Sequence, residues 1–319
     1  MEVKKIFFLV FDLTYAAVSV VMALVAYIQT RFGPERLPLS YRVWDHFRVT
    51  PVRHHYYQPV YDVHCLPAHL WTDKYPLHGV NFNADDQFAL LEQFKYQDEL
   101  SVIPVDIPAK PLGFYHRNHS FEAADAEMLY NMVRFFKPRR VIEIGAGYST
   151  RIMKYSLDVN RVKGYASIHR CIEPYDVPWI EQLGIDEVIR LRVEDVERIL
   201  FDELEANDIL FIDSSHVLRT GGDVFVEYLQ ILPILKPGVL VHIHDIFIPY
   251  EYPKDWIVNK RRFWTEQYIV QAFLSFNQEF EILSAVHWLA MEHPERLARA
   301  CPVYGKLGGV PGSFWVRKI

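Results

Sequence analysis

Cysteine is scarce in this chain: Cys65, Cys171 and Cys301 are the only three in 319 residues. An odd number at such wide spacing makes no disulfide framework and fits a reducing compartment. No second cysteine stands at ligand spacing near the histidine-rich stretch, so His46, His54, His55, His64, His69 and His78 read as surface or packing residues. Positive charge is also short, with 34 Lys and Arg against 40 Asp and Glu and a formal net charge of -6. That balance denies the chain the concentrated basic face that a nucleic-acid partner requires. Internal repeats and low-complexity linkers are absent too, which argues against a solenoid or a string of small modules.

What the chain has in quantity is apolar bulk. At 50% hydrophobic and 15% aromatic residues it can bury a sizeable core, as one large α/β domain with additions would. The apolar residues are most continuous near the start, where Ile6 to Gln29 carries one charge, Asp12. As a helix this run reaches roughly 35 Å, enough for a hydrocarbon core of about 30 Å. Residues 1-30 are therefore expected to form a hydrophobic helix that anchors the chain in a membrane through residues 6-29. A secretory signal is one alternative, with Lys4 and Lys5 as its charged start, but its apolar core is normally about 7 to 15 residues. A helix docked on a membrane-protein partner is another, and Asp12 favours it because an acid inside lipid is costly. Lys4 and Lys5 precede the run, while Arg31, Arg36, Arg42, Arg48 and Arg53 follow it. The positive-inside rule then puts the body of the protein in the cytoplasm.

Residues 31-119 are rich in Pro, His and Tyr with short apolar runs, and are expected to form an irregular or partly helical extension. After residue 120 the pattern changes. Met128, Leu129, Met132, Val133 and Phe136 recur at helical spacing, and the helix they predict stops at Pro138. Strand signals follow at 141–144, 166–173, 188–193, 208–213, 238–245, 280–286 and 312–318, mostly separated by helical segments. This alternation predicts an α/β fold over residues 120-319, with a seven-stranded, mostly parallel, Rossmann-like sheet and helices on both faces.

In such sheets the ligand binds beyond the carboxyl ends of the strands. The first strand signal carries Glu143 and breaks into Gly145-Ala146-Gly147, followed by Tyr148-Ser149-Thr150. Glycines there let the backbone approach a ligand and free the amides of the next helix's first turn. A dinucleotide is one candidate, but Thr150 stands where G-x-G-x-x-G needs its third glycine. An acid two residues before the first glycine suits a ligand with a cationic ammonium better than a pyrophosphate.

The stretch EIGAGYST resembles the first motif of class I S-adenosylmethionine-dependent methyltransferases. That resemblance implies a cofactor loop made of Glu143, Gly145, Ala146, Gly147, Tyr148, Ser149 and Thr150. It also implies that Glu173, with Pro174, binds the ribose hydroxyls, that Glu194 and Asp195 border the adenine, and that Asp213 and Ser214 close the fourth strand beside the cofactor. The IDSSH and HDIF sequences, with FYHRNHSFEAADAEMLY before the first strand, resemble the branch of small-molecule and sugar O-methyltransferases. In that branch the last stretch helps close the pocket, which implies that Tyr115 and Asn118 line the site.

A sulfonium is already a strong methyl donor, so the protein must chiefly align the acceptor and take its proton. His216 and His244 lie just past strand ends with Asp245 beside them, and either imidazole suits a base near neutral pH. A divalent cation is an alternative aid. By the resemblance it would sit on Asp213 and Asp245, although His244 replaces the further acid such sites use. The expected acceptor is a small-molecule or lipid-linked hydroxyl compound. A non-catalytic membrane-complex subunit built on the same fold is the competing class.

Overall fold

The computed structural model describes residues 2–108 and 112–319; Met1 of the expected anchor and residues 109–111 of the expected extension lie outside the described residues. Two compact units divide at Pro67 and Ala68.

In the second unit seven strands form one sheet: β1 (Arg140–Ile144), β2 (Ile168–Ile172), β3 (Glu187–Ile189), β4 (Ile209–Ile212), β5 (Leu240–Ile243), β6 (Phe280–Ala285) and β7 (Phe314–Lys318). Their order is β3-β2-β1-β4-β5-β7-β6. The first five pair in parallel, and β7 enters antiparallel between β5 and β6. Every residue of β4 and β5 is buried, so both faces of the sheet are covered and both must be apolar. This is the Rossmann-like arrangement that the alternation predicts. The third strand is shorter than its apolar pattern. Leu191 is exposed, and the chain then turns so that Val193 enters the core from a one-turn helix, Val193–Asp195.

The helix Ala123–Phe136 buries almost its whole length and ends in a left-handed Lys137, one residue before Pro138. The segment after β4 is less regular than its periodicity suggests. It runs as a helix Asp223–Val226, a π turn Glu227–Ile231 and a 3₁₀ turn Leu232–Ile234. Pro233 removes a donor at the end of it, and the wide turn carries Glu227 and Tyr228 inward.

Part of the expected extension belongs to this unit. Leu91, Phe94, Leu100, Ile103 and Phe114 join the core, and Gln87 Oε1 accepts a hydrogen bond from the Ala285 amide at 2.8 Å. In the first unit a helix spans Glu2–Arg36, broken near its end by Gly33 (φ 76°) and Pro34, and a shorter one spans Pro38–His46. The stretch Lys4–Arg36 is long and apolar enough to cross a membrane.

Candidate functional site

Three turns at the carboxyl end of the sheet each hold a residue in the left-handed region: Gly145 after β1 (φ 86°), His216 after β4 (φ 60°) and Asp245 after β5 (φ 57°). For the two non-glycine residues this is a sparsely populated conformation that the surroundings must enforce. At Gly145 the reason for glycine is steric as well, since a Cβ would stand 2.2 Å from the Asp213 carbonyl oxygen. The loop is pinned from several sides. Thr150 Oγ1 accepts from the Gly147 amide at 3.0 Å, and the Glu173 carboxylate accepts from the Ala146 amide at 3.1 Å and the Tyr175 amide at 2.9 Å.

Against this loop lies a cavity of about 280 Å³ whose lining includes Gly145, Glu173, Pro174, Glu194, Asp213 and Ser214. Tyr175, Arg192, Ser215, Arg219 and Asp223 complete its polar border. Ser214 donates to the buried Glu227 at 3.0 Å. Burial, with the charges of Glu266 and Asp223 nearby, pushes the Glu227 carboxyl well above its usual range.

Several residues of the expected cofactor set stand elsewhere. Glu143 is fully buried beneath the loop, where Cys171 Sγ donates to its Oε2 at 3.3 Å and His169 Nε2 lies 3.5 Å from Oε1. Ser149 and Thr150 are likewise buried, and neither lines this cavity. Asp195 pairs with Arg192 at 2.9 Å, and Glu194 is the acid of the two in the lining. Asn118 is engaged within its own loop. Its amide donates to the Tyr115 and Phe121 carbonyls, and its oxygen accepts from the Ser120 and Phe121 amides, so every polar group organises its own loop. Tyr115 reaches the cofactor loop instead, with its hydroxyl 3.0 Å from that of Tyr148.

The residues present fit an S-adenosylmethionine ligand. Backbone that a Cβ would block comes to the cavity wall at Gly145, and two acids, Glu173 and Glu194, border the space.

A second cavity, of about 360 Å³, is lined by Asp125, Asp213, His244, Asp245, Trp256, Lys260, Arg262 and Trp264 among others. Asp213 lines both cavities. His216 is buried behind them, with Nδ1 2.7 Å from Glu266 Oε2 and Nε2 3.4 Å from Asp213 and 3.7 Å from Asp245. Burial opposes its charging, but Asp213 and Glu266 outweigh that and hold its pKa well above the usual value. The Asp213 carboxyl is penalised by burial yet falls to about 2, because His244 and His216 favour its anion. For His244 burial likewise opposes the charged form, and the carboxylates of Asp245, Asp213 and Asp125 raise the pKa above 6.5. Its Nε2 is 3.5 Å from Asp245 Oδ1, and its Nδ1 has no hydrogen-bond partner among the described residues. Burial raises the Asp245 carboxyl despite the neighbouring histidines.

The same geometry tests a divalent ion at Asp213 and Asp245. The fit is poor: the Nε2 edge of His216 faces both carboxylates, where the ion would need their oxygens free. Among the described residues, three metal-type donors converge at Glu143, His169 and Cys171, where burial keeps the thiol protonated and hydrogen-bonded to the glutamate.

Residues 142–246 match the family described as a methyltransferase domain. An uncharacterised protein from Archaeoglobus fulgidus is 31% identical over 139 residues, a match that covers 41% of this chain and 61% of that protein's length. The structure of an O-methyltransferase from Bacillus cereus, in complex with SAH, aligns at 15% identity and a TM-score of 0.35, covering 75% of this chain and 98% of that one. The O-methyltransferase TomG from Streptomyces achromogenes, in complex with SAM, aligns at 13% identity and a TM-score of 0.31, with 75% and 91% covered.

Proposed function

We propose that this chain, whose residues 142–246 match the methyltransferase-domain family, is an S-adenosylmethionine-dependent O-methyltransferase for a small or lipid-linked hydroxyl acceptor. The observation that carries this reading is the position of Asp213, which lines both cavities and so lies between a ligand in one and a ligand in the other. Gly145 shapes the wall of the cofactor cavity, Glu173 accepts the ribose hydroxyls, and Glu194 borders the adenine.

When bound, the cofactor supplies an electrophilic methyl on a sulfonium. The acceptor hydroxyl lies in the second cavity against His244, whose Nε2 takes the hydroxyl proton as the methyl–oxygen bond forms and the methyl–sulfur bond breaks. Asp245, beside that imidazole, stabilises the imidazolium produced. His216 is held on both nitrogens, by Glu266 on one side and Asp213 and Asp245 on the other, so it positions those carboxylates rather than acting as the base. No divalent ion is part of this scheme. The residues flanking 6-29 support a membrane anchor with the catalytic unit in the cytoplasm.

The test uses the full chain in detergent with S-adenosylmethionine labelled on its methyl group, incubated with lipid and water-soluble cell extracts. Transfer of label to an alkali-stable methyl ether, lost in His244→Ala, supports the reading. Label recovered only as alkali-labile ester, or no transfer from a chain that binds the cofactor, contradicts it.

A further inference from the structure

The lining of the acceptor cavity is divided by charge. Asp125, Asp213 and Asp245 gather around His244, whereas Lys260 and Arg262 come from the segment after the helix Lys254–Val258. Lys260 is committed to Asp255, at 2.9 Å, and Asp255 also accepts from Asn259. Arg262 is different. Its guanidinium carbon lies 4.5 Å from the ring centre of Trp256 and 4.6 Å from that of Trp264, and its backbone amide donates to the Trp256 carbonyl at 2.9 Å. Its side chain makes no ion pair or hydrogen bond with any described residue, although it adds to the positive field at Asp255. The two tryptophan rings stand 5.2 Å apart at 79°, and Trp264 lies 4.3 Å from the His216 ring, so the arm is built into the same packing as the reactive end.

Cation–π contact with aromatic rings holds a guanidinium in place without using up its N–H groups, and their fork matches the two oxygens of a carboxylate or phosphate. We propose that Arg262 is the anion-binding arm of the acceptor site, and that the acceptor is a hydroxyl compound carrying a carboxylate or phosphate. This rests on the methyltransferase reading, because it names the substrate class of the same cavity. The anion sits on Arg262 between the tryptophans, and the hydroxyl reaches His244. A cavity of about 360 Å³ holds a molecule of one ring or a short chain with both groups.

The test reads tryptophan emission of the full chain in detergent while sodium acetate or inorganic phosphate is added at constant ionic strength balanced with chloride. A saturable change with either oxyanion, weakened about tenfold or more in Arg262→Gln and kept in the exposed control Lys254→Gln, is the expected result. Arg262→Lys keeps charge without the planar edge, so it should retain part of the phosphate response and lose more of the acetate response. A preference for acetate identifies a carboxylate acceptor, and a preference for phosphate a phosphorylated one. An unchanged response in Arg262→Gln, or no response beyond that of chloride, overturns the proposal. Each sample is also titrated with S-adenosylmethionine. An Arg262-dependent oxyanion response in a chain that binds no cofactor would sink the methyltransferase reading while leaving the anion site.

Discussion

Gly145 and Asp213 touch so closely that a Cβ on the glycine would lie 2.2 Å from the aspartate's carbonyl oxygen. The turn after β1 therefore sets where the end of β4 stands, and with it the acid shared by the two cavities. The backbone bonds from Asp213 N to Ile144 O and from Gly145 N to Ile172 O, both 3.0 Å, lock three strand ends together.

Gly145→Ala should lower the melting temperature and weaken S-adenosylmethionine binding at least tenfold in calorimetry. A left-handed alanine costs about 1–2 kcal/mol before the overlap is counted. Gly147→Ala is the contrast: its Cβ meets nothing closer than Ser149 Oγ at 4.0 Å, so affinity should change much less. Equal effects of the two would show that the steric argument at Gly145 is wrong.

His244→Ala should reduce kcat by roughly 10²–10⁴ while cofactor affinity stays within about twofold, as expected for loss of a general base. The raised pKa of His244 places the acid limb of the kcat profile above 6.5, with rate increasing as pH rises through it. A limb near pH 4 would assign the proton to a carboxylate instead.

Asp213 and His216 give stability a window with two edges. The Asp213 pKa is lowered from 3.8 to about 2, so its contribution is present above about pH 4 and is lost as pH falls towards 2. That of His216 is raised well above 6.5, so its contribution is complete below that value and disappears as pH rises through the higher folded pKa. Denaturant titrations across pH should lose the alkaline edge in His216→Gln and keep only the part of the acid edge that His244 supports.

Because His216 faces both Asp213 and Asp245, EDTA should leave the transfer rate unchanged and added magnesium should not raise it. A rate that falls with chelator and returns with magnesium would show that His216 moves aside to admit the ion.

The full chain should sediment with membranes and resist a carbonate wash, whereas a chain beginning at Ala68, where the second compact unit starts, should be found in the soluble fraction. Recovery of the full chain in the soluble fraction would remove the anchor.

The sheet was legible in the sequence because β1, β4 and β5 are short apolar runs bounded by turns, and burial on both faces is what writes such runs. The glycine turn was legible for a related reason, since Gly145 occupies a position that no side chain fits. The arm at Trp256, Arg262 and Trp264 was not, because its meaning lies in a cation–π arrangement between residues six and two positions apart, without periodicity. Asn118 and Asp195 show the opposite case. Polar residues near strand ends satisfy the backbone of their own loops, or pair with a neighbouring arginine, as readily as they meet a ligand.

The most direct measurement is a calorimetric titration of the full chain in detergent with S-adenosylmethionine and, separately, with NADH. Saturable micromolar binding of S-adenosylmethionine, no heat with NADH, and loss of the signal in Gly145→Ala are predicted. Absence of binding by a folded wild-type chain would contradict the enzyme reading and leave a methyltransferase fold serving a membrane assembly.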